Sequence, residues 1–373
     1  MQANRAAAFI PQLTGIRCLA ASMVLALHAD QAVGHVDLAF VSRGYLGVDL
    51  FFLLSGFIIA HVYAESFREP SGRRFGQFMW HRFARLYPAH VTVLLFLLAA
   101  FVAATHLNVP LDDADAWTAK NFVKQVFLVH AWGIDRHIGW NAVSWSVSAE
   151  WFAYLLFPAI AFVILRLERP AAAGVAVLAL LIMFSAFAAF DWDVGLWNGP
   201  PALTRVTGEF ICGVALWRCA PMFKFSPAVF DILGAVAVTG FAAGSVFGLS
   251  DFGLIALLAL LVFAAARSTG ALAQVLSIKP AVWLGQISYS LYLVHFTTVR
   301  LLHKILAHVL VDYSDATKIA MFLLAFPCSV VAAAALYYLV ERPARARLVK
   351  AETALPFIGA PQQIAVRDEK LRA

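Results

Sequence analysis

Charge is scarce in this sequence. Only 13% of its 373 residues are charged, against roughly 25% in ordinary soluble domains, while 62% are hydrophobic and the mean hydropathy is +0.79. A water-soluble globule is thereby excluded, and little length is left for a separate soluble domain. Cysteine is scarce too: Cys18, Cys212, Cys219 and Cys328 form no CxxC pair and no zinc-like spacing, so no metal site is expected. Cys212 and Cys219 stand seven residues apart on one expected helix, about 10 Å of rise, too far for a disulfide. All four read as small buried hydrophobes. The sequence also lacks a G-x-S-x-G elbow, which removes the hydrolase type of serine nucleophile, and lacks any repeat of solenoid length.

Long apolar runs are what the chain has in abundance. They lie near 13–31, 44–64, 88–106, 147–166, 171–190, 203–219, 228–247, 251–267, 282–303 and 319–340. Runs of this length predict an all-α, polytopic transmembrane helix bundle of about ten spans. The net charge of +6 follows the same plan: most of the 28 basic residues, among them Arg68, Arg74, Arg166, Arg342 and Arg347, fall on one side if both termini are cytoplasmic. The basic balance therefore speaks for a lipid bilayer and against nucleic acid, with the cytoplasmic (inner) membrane as the expected location. Residues 1–346 are expected to form the transmembrane domain and 347–373 a basic, flexible cytoplasmic tail. Arg5 ahead of the first run imitates a secretory signal, but Leu27 stands where cleavage after Ala29 wants a small residue, so the first span is expected to be retained. The longest outer loop, 107–145, carries Asp112, Asp113 and Asp115 and then Trp117, Trp132, Trp140 and Trp145, which suits an interfacial cap or a sugar-stacking surface.

Ionisable side chains inside a span are costly, so each is a functional candidate whose partner has to be named. Arg17 stands near the inner rim of the first span, and His28 lies eleven residues further on, about 16 Å toward the outside. Asp49, Glu150, Glu209 and His295 reach comparable depth on four other spans. Plain structural readings stand beside the functional ones. His295 can serve as an interhelical hydrogen-bond donor, Asp49 and Glu150 can cap helix starts, and Glu209 can pair with Arg205 one turn earlier. His28 has carboxylates at matching depth to hold its tautomer and raise its basicity, as a general base requires.

A second concentration is basic. Residues 73–88, RRFGQFMWHRFARLYP, alternate cationic and aromatic side chains. Arg82 and Arg85 are three apart, hence on one helix face, where two guanidinium forks can grip phosphates. The same block also suits an amphipathic helix lying on anionic headgroups.

Six blocks in order then carry a family pattern: LTGIRCLAASMVLALH (13–28), GYLGVDLFFLLSGF (44–57), RFARLYP (82–88), WSVSAEWFAY (145–154), ISYSLYLVH (287–295) and VERPAR (340–345). From Leu13 to about Pro343 the chain resembles the acyltransferase-3 family of integral-membrane O-acyltransferases, the second block being the most specific. Cys18 departs from the glycine that commonly follows the arginine, a difference of packing. Some relatives carry a soluble esterase-like domain after the last helix; only 30 residues follow Pro343 here, so any such help is expected from elsewhere.

The resemblance implies transfer of an acyl group, commonly acetyl, from cytoplasmic acetyl-CoA or another acyl-CoA to a hydroxyl of a glycan or lipid-linked sugar, and it does not fix the acceptor. On this reading Arg82 and Arg85, with Arg17, hold the CoA phosphates, and His28 takes the proton of the attacking hydroxyl. Asp49 or Glu150 orients the imidazole as the third member of a triad does. Tyr289, Tyr292, His295 and Glu209 are supporting candidates. Ser55 and Ser288 show no neighbouring base in the sequence, which favours direct attack over an acyl-enzyme. The competing class is a proton-coupled transporter or translocase of a sugar or lipid-linked substrate, against which stands the lack of inverted repeats and of paired broken helices.

Overall fold

The computed structural model describes residues 9–34, 39–109, 113–135, 137–309 and 314–352. Every regular element among them is helical. Ten long helices match the ten apolar runs, α3 beginning sixteen residues earlier than its run and the others differing by six residues at most: α1 Pro11–Val33, α2 Gly47–Tyr63, α3 Gly72–His106, α5 Trp145–Ile164, α6 Arg169–Ala189, α7 Pro200–Cys219, α8 Pro227–Val246, α9 Asp251–Arg267, α10 Lys279–Val309 and α11 Asp315–Leu336. Two shorter ones join them, α4 Ala119–Val126 in the outer loop and α12 Arg342–Ala351 at the end. Seven of the described helices are long and apolar enough to cross a membrane on their own. Length and apolarity alone thus support seven crossings rather than ten. The helices left out are α7, which carries Arg205, Glu209 and Arg218, α9, which has 17 residues, and α10, which carries Lys279, Arg300 and Lys304. Arg5 and the tail beyond Glu352, which bear on the orientation of the termini, lie outside the described residues.

Local chemistry sets the ends of these elements. Pro11 opens α1, where its missing N–H costs nothing, and Gly34 closes it at φ +86°, its N–H returned to the Asp30 carbonyl. The Ser71 hydroxyl caps α3 by accepting from the Arg74 N–H. At 35 residues α3 extends about 52 Å, well beyond a hydrocarbon core of about 30 Å, and it runs straight through Pro88. The basic block is therefore the N-terminal extension of a long apolar helix and not a separate element.

Its stripe Phe78, Arg82, Arg85, Ala89 repeats at helical spacing and faces the bundle, while Arg73 and Phe75 are exposed. Backbones touch where α2 crosses α7: a side chain at Gly56 would run into the Phe210 carbonyl, and one at Gly213 into that of Leu53. Small residues at such crossings bring helices close when the surrounding solvent is as apolar as the side chains.

The outer loop folds inward. Gln125 on α4 donates to the carbonyls of Ile138 (3.1 Å) and Gly139 (2.8 Å), and Trp140 donates through Nε1 to the Thr118 carbonyl (3.0 Å). Trp117 and Trp140 pack edge to face at 5.2 Å, beside Phe101 and Phe122. These rings build a cap rather than an open stacking surface. At the inner end α12 crosses the expected 346/347 boundary and rests on α3: Trp80 donates to the Leu348 carbonyl (2.9 Å), and His81 meets Glu352 at 2.7 Å.

Candidate active site

Four helices present stripes at helical spacing to one internal cavity of about 110 Å³: Phe51, Ser55 and Ile58 from α2, Arg82 and Arg85 from α3, Ser146, Glu150 and Tyr154 from α5, and Tyr289 and Tyr292 from α10, with Arg17 of α1. Along α5 the lining passes from Ser146 to Tyr154, about 12 Å, so the arginine end and the Phe51–Ser146–Tyr292 end are well separated. The volume far exceeds the 10–15 Å³ or so that one water needs and falls short of the roughly 300 Å³ of a small drug-sized site.

At the arginine end, Arg82 donates to the Tyr63 hydroxyl (3.0 Å), and its guanidinium carbon lies 5.0 Å from the Tyr63 ring and 5.8 Å from that of Tyr154. Its buried Nε has no hydrogen-bond partner among the described residues. Arg85 lies 5.2 Å from the Tyr289 ring and is ion-paired with Glu341, which also accepts from Ser290 (2.6 Å). Glu341 ends a single π-helical turn, Tyr337–Glu341, an irregularity that recurs at functional sites. Arg17 interacts electrostatically with Glu150 on one side and Arg345 on the other. Counting Arg17, Arg82, Arg85 and Arg345 against Glu150 and Glu341, this end keeps a positive excess.

Glu150 lies mid-cavity. Both Ser55 Oγ and Tyr154 Oη donate to its Oε1, the tyrosine at 2.6 Å. At the far end Ser146 donates to Tyr292 Oη (2.8 Å), which donates to the Val143 carbonyl (2.7 Å), while beside Arg85 Tyr289 donates to the Leu86 carbonyl (2.6 Å).

Six expected site residues thus come together: Arg17, Arg82, Arg85, Glu150, Tyr289 and Tyr292. Four do not. Asp49 and Glu209 form a separate cluster with Arg205, which grips Asp49 through both Nε (2.7 Å) and Nη2 and donates through Nη1 to the Val194 carbonyl (2.7 Å). Asp49, Arg205 and Glu209 are 0%, 2% and 0% exposed, sealed from the cavity. Arg205 is taken by Asp49 of another helix rather than by Glu209 of its own, and Glu150 is five residues into α5, past the turn where it would cap.

His28 and His295 form the other pair. Their rings are 5.0 Å apart, beside Phe296, and neither lines the cavity, whose Tyr292 ring lies 5.6 Å from His295. Nor does either carboxylate orient His28. That task falls to Val24 and His295, and the hydrogen bonds define the tautomers. His295 Nδ1 meets only carbonyls, Tyr292 at 2.7 Å and Leu291 at 3.2 Å, so in the neutral ring it carries the proton. Its Nε2 must then accept from His28 Nδ1 (3.1 Å), which also reaches the Val24 carbonyl (2.9 Å). His28 Nε2 is left as the nitrogen with a free lone pair.

A family model described as an acyltransferase domain matches residues 10–339. The chain belongs to the acyltransferase-3 family. Among relatives of this acyltransferase, Acyltransferase MdmB of Streptomyces mycarofaciens is 28% identical over 90% of this chain and 91% of its own. Peptidoglycan O-acetyltransferase OatA of Listeria monocytogenes is 25% identical over 80% of this chain and 50% of its own, and O-acetyltransferase OatA of Staphylococcus aureus 24% over 78% and 51%. The acyltransferase thus spans about half the length of the OatA proteins. No solved structure matches the chain. Family and helices together make it a multi-pass membrane acyltransferase for groups other than aminoacyl.

Sequence reasoning missed three partners within this acyltransferase site and one pairing outside it. Tyr154 stood one helical turn after Glu150, at the i,i+4 distance, and Glu341 stood in the last of the six blocks; both signals were there to be used. The pairings of Ser55 with Glu150 and of Arg205 with Asp49 join helices 95 and 156 residues apart, and no local pattern announces them.

Proposed function

We propose that the protein moves an acyl group, acetyl as in the relatives named for O-acetylation, from cytoplasmic acyl-CoA to a hydroxyl of a glycan or lipid-linked sugar in the inner membrane. The observation that carries this reading is the cavity itself. Three arginines line a cavity whose other walls are mostly apolar and aromatic apart from Ser55, Ser146 and Glu150, a fit to a polyanionic head with a slender thioester arm. Arg17 and Arg82 bind the donor phosphates, and Arg85 joins them by exchanging Glu341 for a phosphate. α7, α9 and α10 cross the membrane with the other seven helices, and both termini face the cytoplasm.

The acceptor arrives from the other leaflet, where His28 takes its proton through Nε2 and His295 holds the ring in that tautomer. The barrier between the two halves is a wall one side chain thick, Phe51 and Tyr292, whose rings pack 6.1 Å apart. Purified protein in membranes supplied with acetyl-CoA and isolated envelope glycan should release CoA and acetylate the glycan. Absence of both products, with the protein inserted and folded, would end this reading.

A further inference from the structure

Ser55 is the cavity hydroxyl with the best credentials as a nucleophile. Its Oγ donates to Glu150 Oε1 in a short hydrogen bond, and the same carboxylate oxygen is fixed by Tyr154 Oη, so that nucleophile, base and orienting group form one constellation. The cavity, at about 110 Å³, holds one reactant end at a time. Donor and acceptor have no room to meet directly.

Resting on the donor reading above, we propose that the reaction proceeds in two halves through an acyl ester on Ser55. In the first half Ser55 Oγ bonds to the thioester carbonyl carbon while Glu150 Oε1 takes the hydroxyl proton. The carbon–sulfur bond breaks, and CoA departs as a thiolate, which needs no acid because a thiol has a pKa of about 8.5, and is protonated by cytoplasmic water. In the second half, with CoA gone, the acceptor oxygen, entering past Phe51 and Tyr292, bonds to the same carbon and gives its proton to His28 Nε2, which then releases it to water on its own side. The carbon–Oγ bond breaks, and Glu150 returns its proton to Ser55, an alkoxide that does need an acid to leave. Acyl group, protons and charge balance over the cycle, and the carboxylate acts first as base and then as acid.

Single-turnover labelling of the full-length protein in detergent with [1-14C]acetyl-CoA, without acceptor, tests this. Wild type should release one CoA per chain and retain one label that resists acid, is removed by alkaline hydroxylamine and maps to the peptide holding Ser55. His28→Ala should keep the label, since His28 serves only the second half, whereas Ser55→Ala and Glu150→Gln should lose it. Ser55→Cys should carry a thioester instead, cleaved by neutral hydroxylamine, a change of chemistry that a purely structural serine would not produce. If CoA is released only when acceptor membranes are added, and no label appears on wild type or on His28→Ala, the ester is wrong and the donor reading stands. If no CoA is released under either condition, both fall.

Discussion

The Asp49–Arg205–Glu209 cluster and the Glu150–Arg82–Arg85 cavity are both made of ionisable side chains inside the bundle, and both join distant helices. In the cluster the guanidinium grips Asp49 and the Val194 carbonyl while both Glu209 oxygens are buried without a hydrogen-bond partner, and no part of the group meets open space. In the cavity the charged side chains border a void. Arg82 keeps an unused N–H, Glu150 takes only weak neutral donors, and the excess charge is positive. Buried charge sealed in protein acts as a staple, and charge beside a void acts on a ligand.

Substitutions can break that contrast or sharpen it. His28→Ala should lower acyl transfer about a hundred- to ten-thousand-fold, the range of a lost general base, with the melting temperature in detergent unchanged; transfer at the wild-type rate would remove His28 from the chemistry. Arg205→Met should do the reverse, costing about 3–5 kcal/mol of stability because Asp49 is left buried and unpaired. Detergent melting measures this, and the double variant with Asp49→Leu should recover much of the loss. Arg82→Ala should raise the KM for the donor by about ten- to a hundred-fold, as a charge-assisted bond of about 1.5–3 kcal/mol implies. Arg85→Ala should cost less, since Arg85 must first leave Glu341; equal effects would mean that this pair does not compete with the donor.

The smallest effect belongs to the outer cap. His130 is buried against His90 and Ser144, and burial pushes its imidazole down to about 3. Its ordinary value is about 6.5, so the unfolded chain binds a proton that the folded cap refuses. Stability from this residue is full above about pH 6.5 and falls by about 1.4 kcal/mol per pH unit between that value and about 3. Melting of wild type and His130→Asn at pH 7.5 and 5.5 checks the sign: the variant should lose less on acidification.

The ten helices were legible because each is a local matter. Twenty or so apolar residues with breakers at their ends dictate a helix whatever surrounds it, and the three-residue spacing of Arg82 and Arg85 dictates a common face. The family was legible too, in six blocks whose order is itself local information. The partners were not. Asp49 and Glu150 looked alike in the sequence, each an acid near the outer end of a span, yet one is locked to Arg205 and the other meets a serine in a cavity. Likewise nothing near His28 announces His295, which lies 267 residues away and decides which imidazole nitrogen is free. Periodicity is a property of neighbours along the chain, so it reports helices and their faces; hydrogen bonds and voids are made between helices, so only their packing decides which charge is spent and which is left to work.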